Sequence, residues 1–88
     1  MKIKEGFLLR QFGDDYIVVA VGEDSGDFNK LITLNSVGAF IYENLRTETA
    51  YEEVLKIITD KYDVEENLAK ADLDVFLNNV KKAGLLDG

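Results

Sequence analysis

Carboxylates are the first residues to test for chemistry in this chain, because it contains neither histidine nor cysteine. Their absence removes the usual catalytic base, the commonest metal ligand, thiolate metal sites and disulfides, leaving Asp, Glu, Lys, Ser, Thr and Tyr. Glu23, Asp24 and Asp27 share one segment, but the alternating acidic spacing of a calcium loop is missing, so a solvated loop is expected. Three acidic pairs, Glu52 with Glu53, Glu65 with Glu66 and Asp72 with Asp74, fall at helix starts or on helix faces. Charge there caps and solubilises instead of exchanging protons with a substrate. Gly26 and Gly38 are isolated and match no phosphate-binding loop. The chain is therefore expected not to be an enzyme and to take no metal and no cofactor.

The elements that position these residues must fit within 88 residues, which is one domain, 1–88, able to bury a modest core unaided. Seventeen acidic against ten basic residues give a formal charge of −7. That balance repels phosphate backbones and anionic lipid heads, so neither nucleic acid nor a membrane is an expected partner. Met1 to Gly6 lacks the apolar run of a signal peptide, and no stretch approaches the roughly 18 apolar residues of a membrane span. A cytoplasmic location is the expectation.

Phe7 to Phe12 and Tyr16 to Val21 are aromatic and β-branched runs separated by Gly13-Asp14-Asp15, which predicts a hairpin. The second run is apolar throughout, as in a central strand covered on both faces. After a loop, Lys30 to Leu34 supplies a third strand, which then lies at the sheet edge with unpaired backbone groups. Asn35 is a good N-cap for a helix from about 36 to 46, whose face is Val37, Phe40, Ile41 and Leu45. Tyr51, Val54, Leu55, Ile58 and Tyr62 form the face of a second helix, with Thr49 and Glu52 as its capping box. Asp63 and Glu66 are candidate caps for a third, which Lys81 and Lys82 favour at its end and Gly84 stops, with Leu85 and Leu86 folding back.

On a helical wheel the third helix is lopsided. Leu73, Phe76, Leu77 and Val80 make the core stripe, and Lys70, Asp74, Asn78 and Lys81 make a solvated flank. The opposite flank carries Leu68, Val75 and Ala83 beside Asp72 and Asn79. An apolar arc near 200° exceeds the ~100° that packing on one side requires, so this shoulder should meet another element or a ligand.

The order of strands and helices permits a winged-helix DNA-binding reading, with the third helix in the major groove. Its first turn, however, offers Glu65, Glu66 and Asn67 with only Lys70 nearby, which opposes phosphate and base contact. An acyl carrier reading is equally poor, because Asp24-Ser25-Gly26 lies between strands and not at the head of a helix. A winged-helix regulator and a protein-interaction scaffold remain as alternatives to a peptide-binding module.

Leu34-Asn35-Ser36-Val37-Gly38-Ala39-Phe40-Ile41-Tyr42 resembles the strand-to-helix joint of the small D proteins of pyrroloquinoline quinone biosynthesis and related peptide recognition elements. Glu52-Glu53-Val54, Tyr62-Asp63-Val64, Ala71-Asp72-Leu73, Phe76-Leu77 and Gly84-Leu85-Leu86 continue the likeness in the family's order, over about residues 7 to 86. Tyr42 stands where many relatives carry tryptophan. The resemblance implies an α+β, winged-helix-like fold, with a three-stranded antiparallel sheet followed by three helices.

It also implies a function: holding the leader segment of a ribosomally made precursor peptide for a modifying enzyme, often a radical S-adenosylmethionine protein. The leader would add as a strand along Leu31, Ile32, Thr33 and Leu34 and lie against Leu68, Asp72, Val75, Phe76 and Asn79. Backbone bonds would set register and helix-three side chains would select alternate residues of the guest. A lysine or arginine of the guest near Asp72 would speed encounter and make affinity fall with salt. The same edge also offers itself to a second copy, giving a homodimer.

Overall fold

In a computed structural model, residues 1–20 and 32–87 are described. The predicted hairpin forms from β2 (Phe7–Phe12) and β3 (Asp15–Ala20), which pair antiparallel with Phe12 opposite Asp15, so Asp15 belongs to the strand and not to the turn, while Val21 lies outside the described residues. That register leaves Gly13 and Asp14 as the turn, and Gly13 takes φ +61°, a left-handed conformation in which a side chain would be strained. The third predicted strand is β4 (Ile32–Leu34), antiparallel to β3 with Ile17 opposite Thr33. Among the described residues the sheet order is β2-β3-β4, so β3 is central and β4 an edge.

Alternation along these strands sends Leu9, Tyr16, Val18, Ile32 and Leu34 toward one face, where they pack into the core. The three helices lie on that side. They are α1 (Ser36–Asn44), α2 (Tyr51–Tyr62) and α3 (Glu66–Lys82), with α3 packed against both others and α1 against β3 and β4. Leu45, Val54, Ala69, Leu73 and Val80 are fully enclosed. At ~1.5–3 kcal/mol for each large aliphatic group removed from water, this layer is what holds the helices to the sheet.

Of the two faces of β3 expected to be covered, one is covered by the described residues. Among the described residues no second layer lies over the far face, where Ile17 and Val19 remain half-buried beside exposed Leu8 and Phe12. Two strands of two residues were not foreseen: β1 (Lys2–Ile3) pairs antiparallel with β5 (Leu86–Asp87), Ile3 opposite Leu86. Ile3 and Leu85 are buried beneath this clasp, so the tail does fold back, and Gly84 at φ +78° provides the stop that releases it.

The caps differ in part from their predicted places. Asn35 caps α1, its Oδ1 accepting from the Gly38 N–H at 2.8 Å. For α2 the cap is Ala50, whose N–H donates to Glu53 Oε1 at 3.4 Å, so the Thr49 and Glu52 box is not formed. The Thr49 hydroxyl instead donates toward the carbonyls of Asn44 and Thr47, tying up the turn between the helices. Asp63 closes α2 in the left-handed region at φ +50°, and Glu65, without a side-chain hydrogen bond, precedes α3.

Candidate binding groove

The joint between β4 and α1 is tight. A Cβ on Gly38 would stand 3.2 Å from Leu34 Cβ and 3.4 Å from Asn35 Oδ1, closer than the joint admits without displacement. Glycine thus lets the first turn of α1 settle over the end of the strand while Asn35 caps it. Across from this joint runs the outer flank of α3, and between them opens a cavity of about 210 Å³. Thr33, Leu34, Asn35, Val37, Gly38 and Ile41 line one wall; Asp72, Val75, Phe76 and Asn79 line the other.

That volume lies below the ~300 Å³ at which pockets begin to hold drug-sized molecules, and it suits the side chain of an extended polypeptide better than a cofactor. Along its open side β4 is the last strand of the sheet among the described residues, with α3 beside it. Leu68 and Val75 are 59 % and 62 % exposed, so two aliphatic side chains of α3 face solvent where a helix flank would normally be polar. Asp72 is the one ionisable residue in the described lining, and no hydrogen bond or ion pair of the described residues engages it. The two displaced phenols lie elsewhere. Burial pushes Tyr42 up, opposed by Arg46, and Tyr51 is raised to about 12 mainly by its hydrogen bond to Asp74. The lining therefore offers shape, apolar contact and one negative charge, but no acid–base pair.

Of the predicted site residues, Thr33, Leu34, Asp72, Val75, Phe76 and Asn79 are brought together around this cavity. Ile32 is half-buried one residue before it, and Leu68 is exposed farther along α3 without lining it. Leu31 lies outside the described residues, as does the acidic segment with Glu23, Asp24 and Asp27. Ala83, counted with the shoulder, packs at the margin of the core instead. The wall made by Asn35, Val37, Gly38 and Ile41 was not anticipated as part of a site, although a lone glycine inside a helical pattern is the signal that could have found it.

No metal-holding group of acidic residues occurs among the described residues, and no described helix is long and apolar enough to cross a membrane. A second, wider cleft of about 430 Å³ between α2 and the start of α3 mixes Glu52, Lys56 and Glu66 and has no strand edge beside it.

No curated protein matches the sequence. A solved structure described as TbiB1 in complex with the TbiA(beta) leader peptide has the same fold, with a TM-score of 0.76 at 24% identity over 100% of this chain and 96% of that one. The sequence pattern of coenzyme PQQ synthesis protein D (PqqD) matches residues 16–86, and the chain belongs to that family.

Proposed function

We propose that this protein binds the leader segment of a ribosomally synthesised precursor peptide by strand addition to β4 and presents it to a peptide-modifying enzyme. The observation that carries the reading is the edge of β4, unpaired among the described residues, lying beside an exposed aliphatic flank of α3. Either feature alone is a liability in water, the edge for aggregation and the flank for lost burial. Together they make the slot that an extended peptide fills. Membership of the PqqD family and the leader peptide named with the TbiB1 structure support the same role.

The magnitude is modest. A three-residue strand directs alternate residues toward β3, so roughly two to four backbone hydrogen bonds remain for a guest. At a net ~0.5–1.5 kcal/mol each, with two aliphatic anchors at ~1.5–3 kcal/mol, the gross gain is roughly 4–12 kcal/mol. Ordering a disordered peptide offsets about 2–5 kcal/mol of it, so a micromolar affinity, about 8 kcal/mol, requires contacts near the favourable end of the gross range. The protein acts on its ligand by holding it, and the chemistry belongs to the enzyme that receives the peptide, a radical S-adenosylmethionine protein being the leading candidate. The setting proposed is the cytoplasm, with the whole chain acting as one domain.

Affinity capture from the protein's own cell extract, with mass spectrometry of the small peptides retained, supplies the ligand. Titration of that peptide into labelled protein should move the backbone amides of residues 32–34 and of the α3 flank. Binding confined to another surface, or self-association through β4 that no peptide displaces, would remove the reading.

A further inference from the structure

We infer that the groove selects a guest in which an apolar residue and a lysine or arginine stand two positions apart, with Asp72 reading the cation. This rests on the strand-addition reading and adds to it a recognition pattern.

The charge requirement comes from the lining. Asp72 is its single ionisable group, exposed and unengaged among the described residues, in a chain of formal charge −7. The ion pairs of the described residues join the N-terminal amine to Glu48 and Arg46 to Glu43, so neither neutralises it. Asp74, only two residues on, is already occupied by the Tyr51 hydroxyl at 2.6 Å. A guest anion at Asp72 would meet repulsion with no cation in the described lining to offset it, whereas a guest cation completes the site.

The spacing comes from matching two periodicities. Asp72 precedes Val75 and Phe76 by three and four residues, a rise of roughly 4.5–6 Å along α3. A guest strand running along the helix places same-face side chains about 6.6 Å apart at i and i+2, while its i+1 side chain points away. An apolar side chain seated in the cavity at Val75 and Phe76 therefore puts the i+2 neighbour over Asp72, and a spacing of four overshoots it. Asn79 bounds the far end of the cavity as a neutral amide, roughly 10 Å from Asp72, so only one end of the groove calls for charge.

The test uses the full chain, isotopically labelled, and a set of short capped synthetic peptides of serine, threonine and valine carrying one leucine and one lysine. The lysine stands one, two or three positions from the leucine, in both orders, and glutamate replaces it in a parallel set. The two-position lysine peptide in one of its orders should shift the Thr33 and Val75 amides at a concentration about two- to fivefold lower than the other spacings or the glutamate peptide. Asp72→Lys should invert the preference between lysine and glutamate, and Asp74→Lys should leave it as it is. Equal response to every spacing and both charges would overturn the pattern while leaving strand addition standing. If no peptide of the set moves the amides of residues 32–34 while the captured leader peptide does, the pattern falls and the proposed function stands; if neither does, both fall.

Discussion

Asp72 and Asp74 stand two residues apart on α3 and point to opposite sides of it. On one side Asp74 receives the Tyr51 hydroxyl and fastens α3 to the first turn of α2. On the other, Asp72 borders a cavity with exposed Val75 beside it and a strand edge across from it. Among the described residues, one flank of the helix is engaged by a neighbouring helix and the other is not. Residue type does not separate the two carboxylates. Their environments do: among the described residues an interhelical contact forms at Asp74 and none forms at Asp72.

The sharpest way to break this comparison is to place charge on the stripe between the two flanks. Leu73 is fully enclosed, and Leu73→Asp should cost roughly 4 kcal/mol or more, abolishing cooperative melting in a domain whose total stability is of order 5–15 kcal/mol. Leu77, which the sequence places on the core stripe equally with Leu73, is only half-buried, so Leu77→Asp should be milder in the same melting experiment. Val75→Asp is the contrasting variant. Its melting should stay within ~0.5 kcal/mol of the parent, while affinity for the captured leader peptide falls about tenfold, as loss of an aliphatic anchor requires. A Val75→Asp protein that melts like Leu73→Asp would make the open flank part of the core and end the distinction.

Asn35 tests the other wall of the cavity. Removing its cap with Asn35→Ala should cost about 1 kcal/mol in denaturant unfolding. Because the same side chain borders the cavity, peptide binding should weaken along with stability, a coupling that Asp74→Asn should not show. Loss of stability with unchanged binding would place the guest away from the β4–α1 joint.

Much of this was legible in the sequence where a periodic signal was long enough to carry it. The hairpin, the order of strands and helices, the Asn35 cap and the exposed flank at Leu68 and Val75 all follow from alternation or from the 3.6-residue repeat. The clasp of β1 with β5 did not, because strands of two residues have no period to read. The cap of α2 was misplaced because Thr49, a good cap by type, turns its hydroxyl to the carbonyls of Asn44 and Thr47. On a helical wheel the α1 wall of the cavity is indistinguishable from core, since the wheel does not separate a side chain that fills an interior from one that borders a gap. Ile41 does both: it is 1 % exposed and still lines the cavity.

The smallest expected effect bears on the engaged flank alone. Tyr51 is held at about 12 against an ordinary 10.0, because the hydrogen bond to the Asp74 carboxylate requires the phenol to keep its proton. A folded-state value above the unfolded one means that the bond's contribution is fully present below pH 10. It is lost as pH rises toward about 12, where the unfolded chain releases that proton before the folded one does. Ultraviolet titration of the four tyrosines should therefore show Tyr51 among the last to ionise, with burial holding Tyr42 high as well. Tyr51→Phe should delete one late phenol. Asp74→Asn should return Tyr51 toward its ordinary range, since a neutral acceptor no longer opposes the phenolate. Asp72→Asn must leave the curve where it is, and a shift produced equally by both asparagine variants would show that the two carboxylates act as a common field and not as two separate sites.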